Sequence, residues 1–354
     1  MQSKKSQDHE KLFVNINNFN IISKIDSGSF GSVYSVQNTI TNKEYAAKIL
    51  NSSNCDDLFS QMINREINIM LRFHHPTIIS FLGYSLKDFN NEDKVTLIMK
   101  LAKNGSLAHI IQLSKEGLLN SSQYDNTTRQ IILVGIARGM MYLHQHRVIH
   151  RDLKPGNILI DEFFHPLITD FGLSKFYELG HSKSQSHHCG TTIYMAPEVI
   201  SGKPYNGKAD VYSFGILMFE VVTEEIPYPL LEEGKMSLFE FNNKVVGHNY
   251  RPQLNDHINP NIKELIEKCW SNDPDERPSF EELFKKLAFE EDKYYLDGVN
   301  ANELGFYTDY IMDDFVQDEE EVPFINASIE KVSQELDKIA AETKEMKKQQ
   351  FYIF

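Results

Sequence analysis

The chain has 354 residues, 36 Lys+Arg against 50 Asp+Glu and a formal net charge of −14. A hydrophobic fraction of 41% with 24% charged residues excludes wholesale disorder, and net acidity excludes a general nucleic-acid coat, which needs a basic surface to displace counterions. Cys55, Cys189 and Cys269 are too few and scattered for a disulfide framework, the start MQSKKSQDHEKL has no apolar signal core, and no run reaches the roughly 18 apolar residues of a membrane span. A cytoplasmic chain is expected, with the nucleus as the alternative.

Residues 1–16 read as an N-terminal extension. From Phe19 to Leu50, β-branched and aromatic residues alternate and are interrupted by Gly, Asn and Ser, which predicts short strands joined by turns. In IDSGSFGSVY, residues 25–34, Gly28 and Gly31 would let the backbone approach a phosphate closely; a plain hairpin is the competing reading. In YAAKIL, a strand period of two puts Ala46 and Lys48 on one face and Tyr45, Ala47 and Ile49 on the other. Lys48 is then either an edge charge or a buried cation. Read as a helix, 56–73 carries Met62, Ile63, Ile69, Met70 and Phe73 as an apolar stripe with Glu66 inside it. A carboxylate there is costly unless paired. Either Glu66 reaches water at the stripe's edge, or it pairs with Lys48, which would also hold nucleotide phosphates.

After about Ser106 the segments lengthen and read as helices, 125–145 and 209–223 among them. Residues 209–222 are apolar nearly all round, the mark of a helix buried at the centre of its lobe. Between these helices lie VIHRDLKPGNILI, 148–160, and LITDFGLSK, 167–175. Asp152, Lys154 and Asn157 share one short loop, and Asp170 follows eighteen residues after Asp152. Phosphoryl transfer needs a base near the attacking hydroxyl, a cation on the transferred group and oxygen ligands for Mg²⁺. These four residues supply those groups in turn, and polar surface turns are the rejected alternative.

HRDLKPGN (150–157), DFG (170–172) and YMAPE (194–198) together resemble a eukaryotic protein kinase, from about Phe19 to about Leu287. KADVYSFGILMFEVVT and KCWSNDPDERPSF are similar to the tyrosine-kinase-like group of serine/threonine kinases. The resemblance implies an α+β, bilobal fold over 17–289: a small β-rich N-lobe (17–99), a hinge (100–103) and a larger helical C-lobe (104–289). It implies ATP and Mg²⁺ as cofactors and protein substrates as partners. By the same resemblance, Asp152 is the catalytic base, Lys154 stabilises the γ-phosphoryl, and Asn157 and Asp170 hold two Mg²⁺ ions. Lys48 grips the α- and β-phosphates while paired with Glu66. Ile25, Ser27, Gly28, Ser29, Phe30 and Gly31 form the ATP-binding turn. Val33 and Ala46 cover adenine from above and Leu159 from below, with Met99 as gatekeeper and Lys100, Leu101 and Ala102 as the hinge.

One position departs from the family pattern: Asp26 stands where the first glycine is usual, and impaired ATP affinity at worst is expected. Lys154 implies serine/threonine rather than tyrosine specificity, and Thr191 is expected to contact Asp152 and Lys154. Asp210 would anchor the catalytic loop and Arg277 would pair with Glu198, both structural roles. Arg151 before Asp152 implies activation by phosphorylation within 170–198, which contains Ser174, Ser182, Ser184, Ser186, Thr191 and Thr192. His181, His187, His188 and Cys189 read as part of a flexible polar loop rather than a zinc site. The alternative function is a pseudokinase scaffold; the presence of Lys48, Asp152, Asn157 and Asp170 speaks against it, and Asp26 is the one point in its favour.

Between Glu290 and Glu321, 12 acidic residues stand against one lysine, so the chain's acidity belongs to this segment. Tyr294, Tyr295, Phe306, Tyr307, Tyr310 and Phe315 are more aromatics than a solvated tail carries, and part of it is expected to dock on the large lobe. In 322–354, Ile329, Val332, Leu336, Ile339 and Met346 recur near a heptad spacing. A helix packing on its own domain is expected there, with weak self-association through that helix as the sharper alternative.

Overall fold

The alternation of apolar residues between Phe19 and Leu50 builds three consecutive strands. The computed structural model describes residues 13–28, 31–50, 57–120, 122–176 and 192–313. It divides into two units, one holding the described residues up to His74 with Ile79–Ala102, the other holding His75–Ile78 and the described residues from Lys103 onward.

The first unit contains β1 (Phe19–Gly28), β2 (Gly31–Asn38), β3 (Glu44–Leu50), α1 (Asp57–Arg72), β4 (Phe81–Ser85) and β5 (Thr96–Lys100). The strands form one antiparallel sheet in the order β1-β2-β3-β5-β4. Register assigns its faces, because directly paired residues share a face. Val36 pairs with Tyr45 and Ala47 with Ile98, and these join Ile16 and Phe19 in a buried cluster. The opposite face carries Val33 opposite Lys48, and Ala46 opposite Met99. At the start of β2, a Cβ on Gly31 would lie 2.1 Å from the Ile49 carbonyl oxygen, so only glycine allows this approach.

The second unit contains α2 (Leu107–Lys115), α3 (Asn126–Gln145), β6 (Val148–Ile149), β7 (Ile158–Ile160), β8 (Pro166–Ile168), β9 (Lys175–Phe176), α4 (Pro197–Ile200), α5 (Lys208–Thr223), α6 (Pro229–Glu232), α7 (Leu238–Gly247), α8 (Pro260–Cys269), α9 (Phe280–Phe289), α10 (Glu291–Tyr294) and α11 (Ala301–Met312). Asp125 caps α3 by accepting from the Thr128 N–H at 2.8 Å, and Ser279 with Glu282 forms a capping box on α9. Helix α5 buries Ala209 through Phe219, as its all-round apolar sequence requires. Among the described residues no helix is long and apolar enough to cross a membrane.

The ordered elements continue past residue 289, because α9 and α11 both pack on α3. Gln130, fully buried on α3, donates to the carbonyls of Leu287 (2.8 Å) and Tyr294 (3.2 Å) and accepts from the Leu296 N–H (3.2 Å). The Thr127 hydroxyl accepts from the Asn300 N–H at 3.0 Å. Tyr307 of α11 wedges against Gly135, where a Cβ would sit 2.1 Å from the tyrosine hydroxyl. The His165 ring lies tilted against that tyrosine, at 4.5 Å between ring centroids. Aromatic residues of the acidic segment thus dock on the helical unit through α11. Phe315 and the heptad-spaced Ile329, Val332, Leu336, Ile339 and Met346 lie outside the described residues.

Candidate active site

On the face of the sheet that carries Val33 and Ala46, Lys48 Nζ lies 2.7 Å from Glu66 Oε1 of α1. Their side chains are only 17% and 7% exposed, so the carboxylate on the apolar stripe is paired rather than solvated. Met99 and Ala46 are buried beside this pair in the strand register. Leu101 and Ala102 follow β5 and are half-buried, while Ile25 on β1 is exposed. Asp26 is exposed opposite Val33, and its carboxylate accepts from the Ser27 N–H at 2.7 Å. That bond occupies the carboxylate locally. Ser29 and Phe30 lie outside the described residues.

In the second unit, the loop between β6 and β7 is held from below by Asp210 of α5. Its carboxylate accepts from the backbone N–H groups of His150 (2.9 Å) and Arg151 (2.8 Å) and lies 2.8 Å from His144 Nε2. Burial alone would raise the Asp210 pKa, but the His144 hydrogen bond, the nearby histidine rings and the Arg151 N–H hold it below the usual carboxylate range. Arg151 itself takes φ of +73°, a strained conformation for a side-chain-bearing residue, and Asp210 grips its N–H there. The anchoring expected of Asp210 is therefore explicit, and His144 is a third partner that motif reading did not single out.

Above that anchor, Lys154 Nζ and Asn157 Nδ2 approach Asp152 Oδ2 at 2.9 and 2.8 Å, and Asn157 Nδ2 also donates to the Asp152 carbonyl at 2.8 Å. The Thr169 N–H donates to the Asn157 carbonyl at 3.1 Å, which ties the segment before Asp170 to the same loop. Asp170 has φ of +66° and leads into a short 3-10 turn whose Phe171 is fully buried against the His150 ring, at 5.4 Å between centroids. Leu159 lies in β7 and pairs with Leu167 of β8. Lys154 and Asn157 thus meet at Asp152, and Asp170 follows Thr169, whose backbone is bonded to Asn157, whereas Thr191 and the His/Cys cluster at 181–189 lie outside the described residues.

This donor set suits a hard divalent cation. With its Nδ2 committed to Asp152, Asn157 keeps Oδ1 as an oxygen donor, and Asp170 makes no side-chain hydrogen bond or ion pair among the described residues. No cluster of three or more His, Cys, Asp or Glu groups forms a closed metal cage among the described residues. Mg²⁺ commonly binds through one or two carboxylates while keeping waters and substrate phosphates as its other ligands, so an open pair of oxygen donors fits it.

The family model for the protein kinase domain matches residues 19–289. The chain belongs to the protein kinase domain family. Its β-sheet unit is the N-lobe and its helical unit the C-lobe of an α+β kinase fold. The chain is similar to the dual specificity protein kinase shkB of Dictyostelium discoideum, 30% identical over 330 residues, covering 91% of this chain and 48% of that protein. It is similar also to the probable serine/threonine-protein kinase drkC of the same organism, 38% identical over 68% of this chain and 30% of the relative. The serine/threonine-protein kinase CTR1 of Arabidopsis thaliana is 34% identical over 76% of this chain and 31% of its own length. The chain thus spans about half or less of the length of these relatives.

One feature of the kinase domain was hidden within an apolar run. Glu220 of α5 receives the Tyr194 hydroxyl at 3.1 and 2.9 Å on its two carboxylate oxygens. The Tyr194 hydroxyl is pushed well above its ordinary range by burial and then by Glu220, with Asp152 also contributing negative charge. Glu220 itself is pushed up to about 8 by burial, with Glu232 adding to the rise and the Tyr194 hydrogen bond opposing it. A lone carboxylate inside FGILMFEVV was the available signal.

The linkage has a definite sign. A group whose pKa rises on folding stabilises the native state fully below its unfolded pKa, and that contribution is lost as pH rises through about 8. Glu220→Gln keeps a hydroxyl acceptor for Tyr194 and removes the titration. Denaturant titrations from pH 5 to 9 should show wild type losing on the order of 2 kcal/mol relative to the variant. Parallel stability curves for the two proteins would refute the raised pKa.

Proposed function

We propose that this chain transfers the γ-phosphoryl group of ATP, with Mg²⁺, to serine and threonine hydroxyls of protein substrates in intracellular signalling. The observation that carries this reading is the Asp152–Lys154–Asn157 constellation, in which Lys154 and Asn157 both meet the Asp152 carboxylate on a loop pinned by Asp210. Asp152 orients the substrate hydroxyl and accepts its proton, and its carboxylate is preset by the two donors that flank it. Lys154 places positive charge beside the position where charge develops on the transferred group.

Asn157 and Asp170 would hold Mg²⁺, which when bound neutralises charge on the phosphates. Lys48, kept in place by Glu66, would hold the α- and β-phosphates. Ile25, Ser27, Gly28, Ser29, Phe30 and Gly31 would form the turn over ATP, with Val33, Ala46, Met99, Leu101, Ala102 and Leu159 around its base. Arg151, whose guanidinium lies 5.7 Å from the centroid of the Tyr205 ring, would receive a phosphate on the loop between Asp170 and Glu198. A cytoplasmic setting belongs to the same reading, and the buried free thiol of Cys269 fits a reducing compartment.

The names of drkC and CTR1 support serine/threonine acceptors, and that of shkB favours tyrosine as a second acceptor. Radiolabelled ATP supplied with a degenerate peptide library, followed by phosphoamino-acid analysis, separates these readings. Label on phosphoserine and phosphothreonine is expected. Label confined to phosphotyrosine would overturn the specificity, and nucleotide binding with no transfer would favour the scaffold reading.

A further inference from the structure

Exposed large apolar side chains normally occur singly. On the helical unit they gather. Phe163 is 71%, Phe306 77% and Tyr310 42% exposed. All three line one groove of about 250 Å³, which also takes in Ile131, His165 and Tyr307. Helix α11 forms one wall, α3 another, and the turn between β7 and β8 the third.

The charge around this groove has one sign. The turn and α11, with its C-terminal neighbour, carry Glu162, Glu303, Asp309 and Asp313, all exposed, and neither 161–166 nor 297–313 contains a lysine or arginine. Arg129, next to Thr128 on the α3 wall, is engaged by Glu224 and lies over the Tyr124 ring at 4.9 Å. Exposed aromatic faces attract a cation placed over them, and flanking carboxylates supply its counter-charge. Ile131 and the aromatic rings also give the groove an apolar lining that suits an aliphatic group.

We infer that this groove docks a segment of a separate protein partner in which arginine or lysine alternates with aliphatic residues. The chain's own continuation is the less favoured occupant, because residues 314–321 bring five further acids to an already acidic rim. The inference does not depend on phosphoryl transfer, and its readout is binding.

The probe is a short fluorescein-labelled peptide alternating arginine and leucine, titrated with the full chain by fluorescence anisotropy. Saturable binding with Kd on the order of 10 μM is expected, weakening as salt rises. Phe306→Ser combined with Glu303→Lys alters two exposed side chains, so the fold should survive, as circular dichroism will verify. This variant should bind at least about tenfold more weakly. Undiminished binding by the variant, no binding by wild type, or equal binding of a glutamate–leucine peptide would each overturn the proposal. In a third arm, Ile329, Val332 and Leu336 are changed to serine in the full chain. Unchanged probe affinity supports a separate partner, whereas a gain of about tenfold would mean that the chain's own C-terminal segment occupies the groove.

Discussion

Asp152→Asn is expected to slow phosphoryl transfer by about 10²–10⁴-fold while changing ATP affinity by no more than about twofold. Asparagine preserves the size of the side chain, and its amide oxygen can still accept from Asn157 Nδ2, now 2.8 Å from Asp152 Oδ2. The Asn157 bond to the backbone carbonyl of residue 152 is untouched. What disappears is the basic carboxylate, together with the charge that faces Lys154 at 2.9 Å. Single-turnover transfer from labelled ATP and a parallel nucleotide titration distinguish chemistry from binding. Undiminished transfer by the variant would remove Asp152 from the role of base. A matched loss of nucleotide affinity would assign it to binding instead.

The second large effect concerns stability. Arg277→Ala should destabilise the protein by about 3–5 kcal/mol, because it leaves a buried charge without its partner. The Arg277 side chain is fully buried and meets both oxygens of Glu198, at 2.7 and 2.8 Å. It also donates to the carbonyls of Ser271 and Lys208, each at 2.9 Å. Its guanidinium lies 5.3 Å from the centroid of the Tyr212 ring, within reach of a cation–π contribution. Calorimetry should show a lower Tm, and Arg277→Met with Glu198→Leu should recover much of the loss because neither charge is then left alone. A single variant within about 1 kcal/mol of wild type would show that the pair is not a structural anchor.

The contacts of the 150–157 loop were legible because they are local. Asp152, Lys154 and Asn157 lie within one turn of chain, so their spacing nearly determines their contacts. Lys48 and Glu66 were legible for another reason: each is a charge set among apolar neighbours, and pairing resolves both conflicts at once. The full support of Asp210 was less visible. His144 approaches it from a different helix, and only tertiary packing brings them together. Glu220 stayed hidden because one acid does not alter the apolar character of a helix buried almost throughout. The segment after 289 showed a conflict between signals, its charge arguing for a solvated tail and its aromatics for docking. Packing resolves that conflict by turning Leu304, Tyr307 and Ile311 inward and leaving the carboxylates of Glu303 and Asp309 outside.

Gln130 gives that arrangement a practical consequence. The match to the kinase-domain family model ends at residue 289, but two of the three hydrogen bonds of this interior amide are made by Tyr294 and Leu296. A polypeptide trimmed to residues 19–289 would strip these partners away and uncover the hollow over Gly135 that Tyr307 fills. The folded unit therefore runs past the end of the kinase-domain match, and boundaries for recombinant fragments are better drawn beyond Met312 than at residue 289.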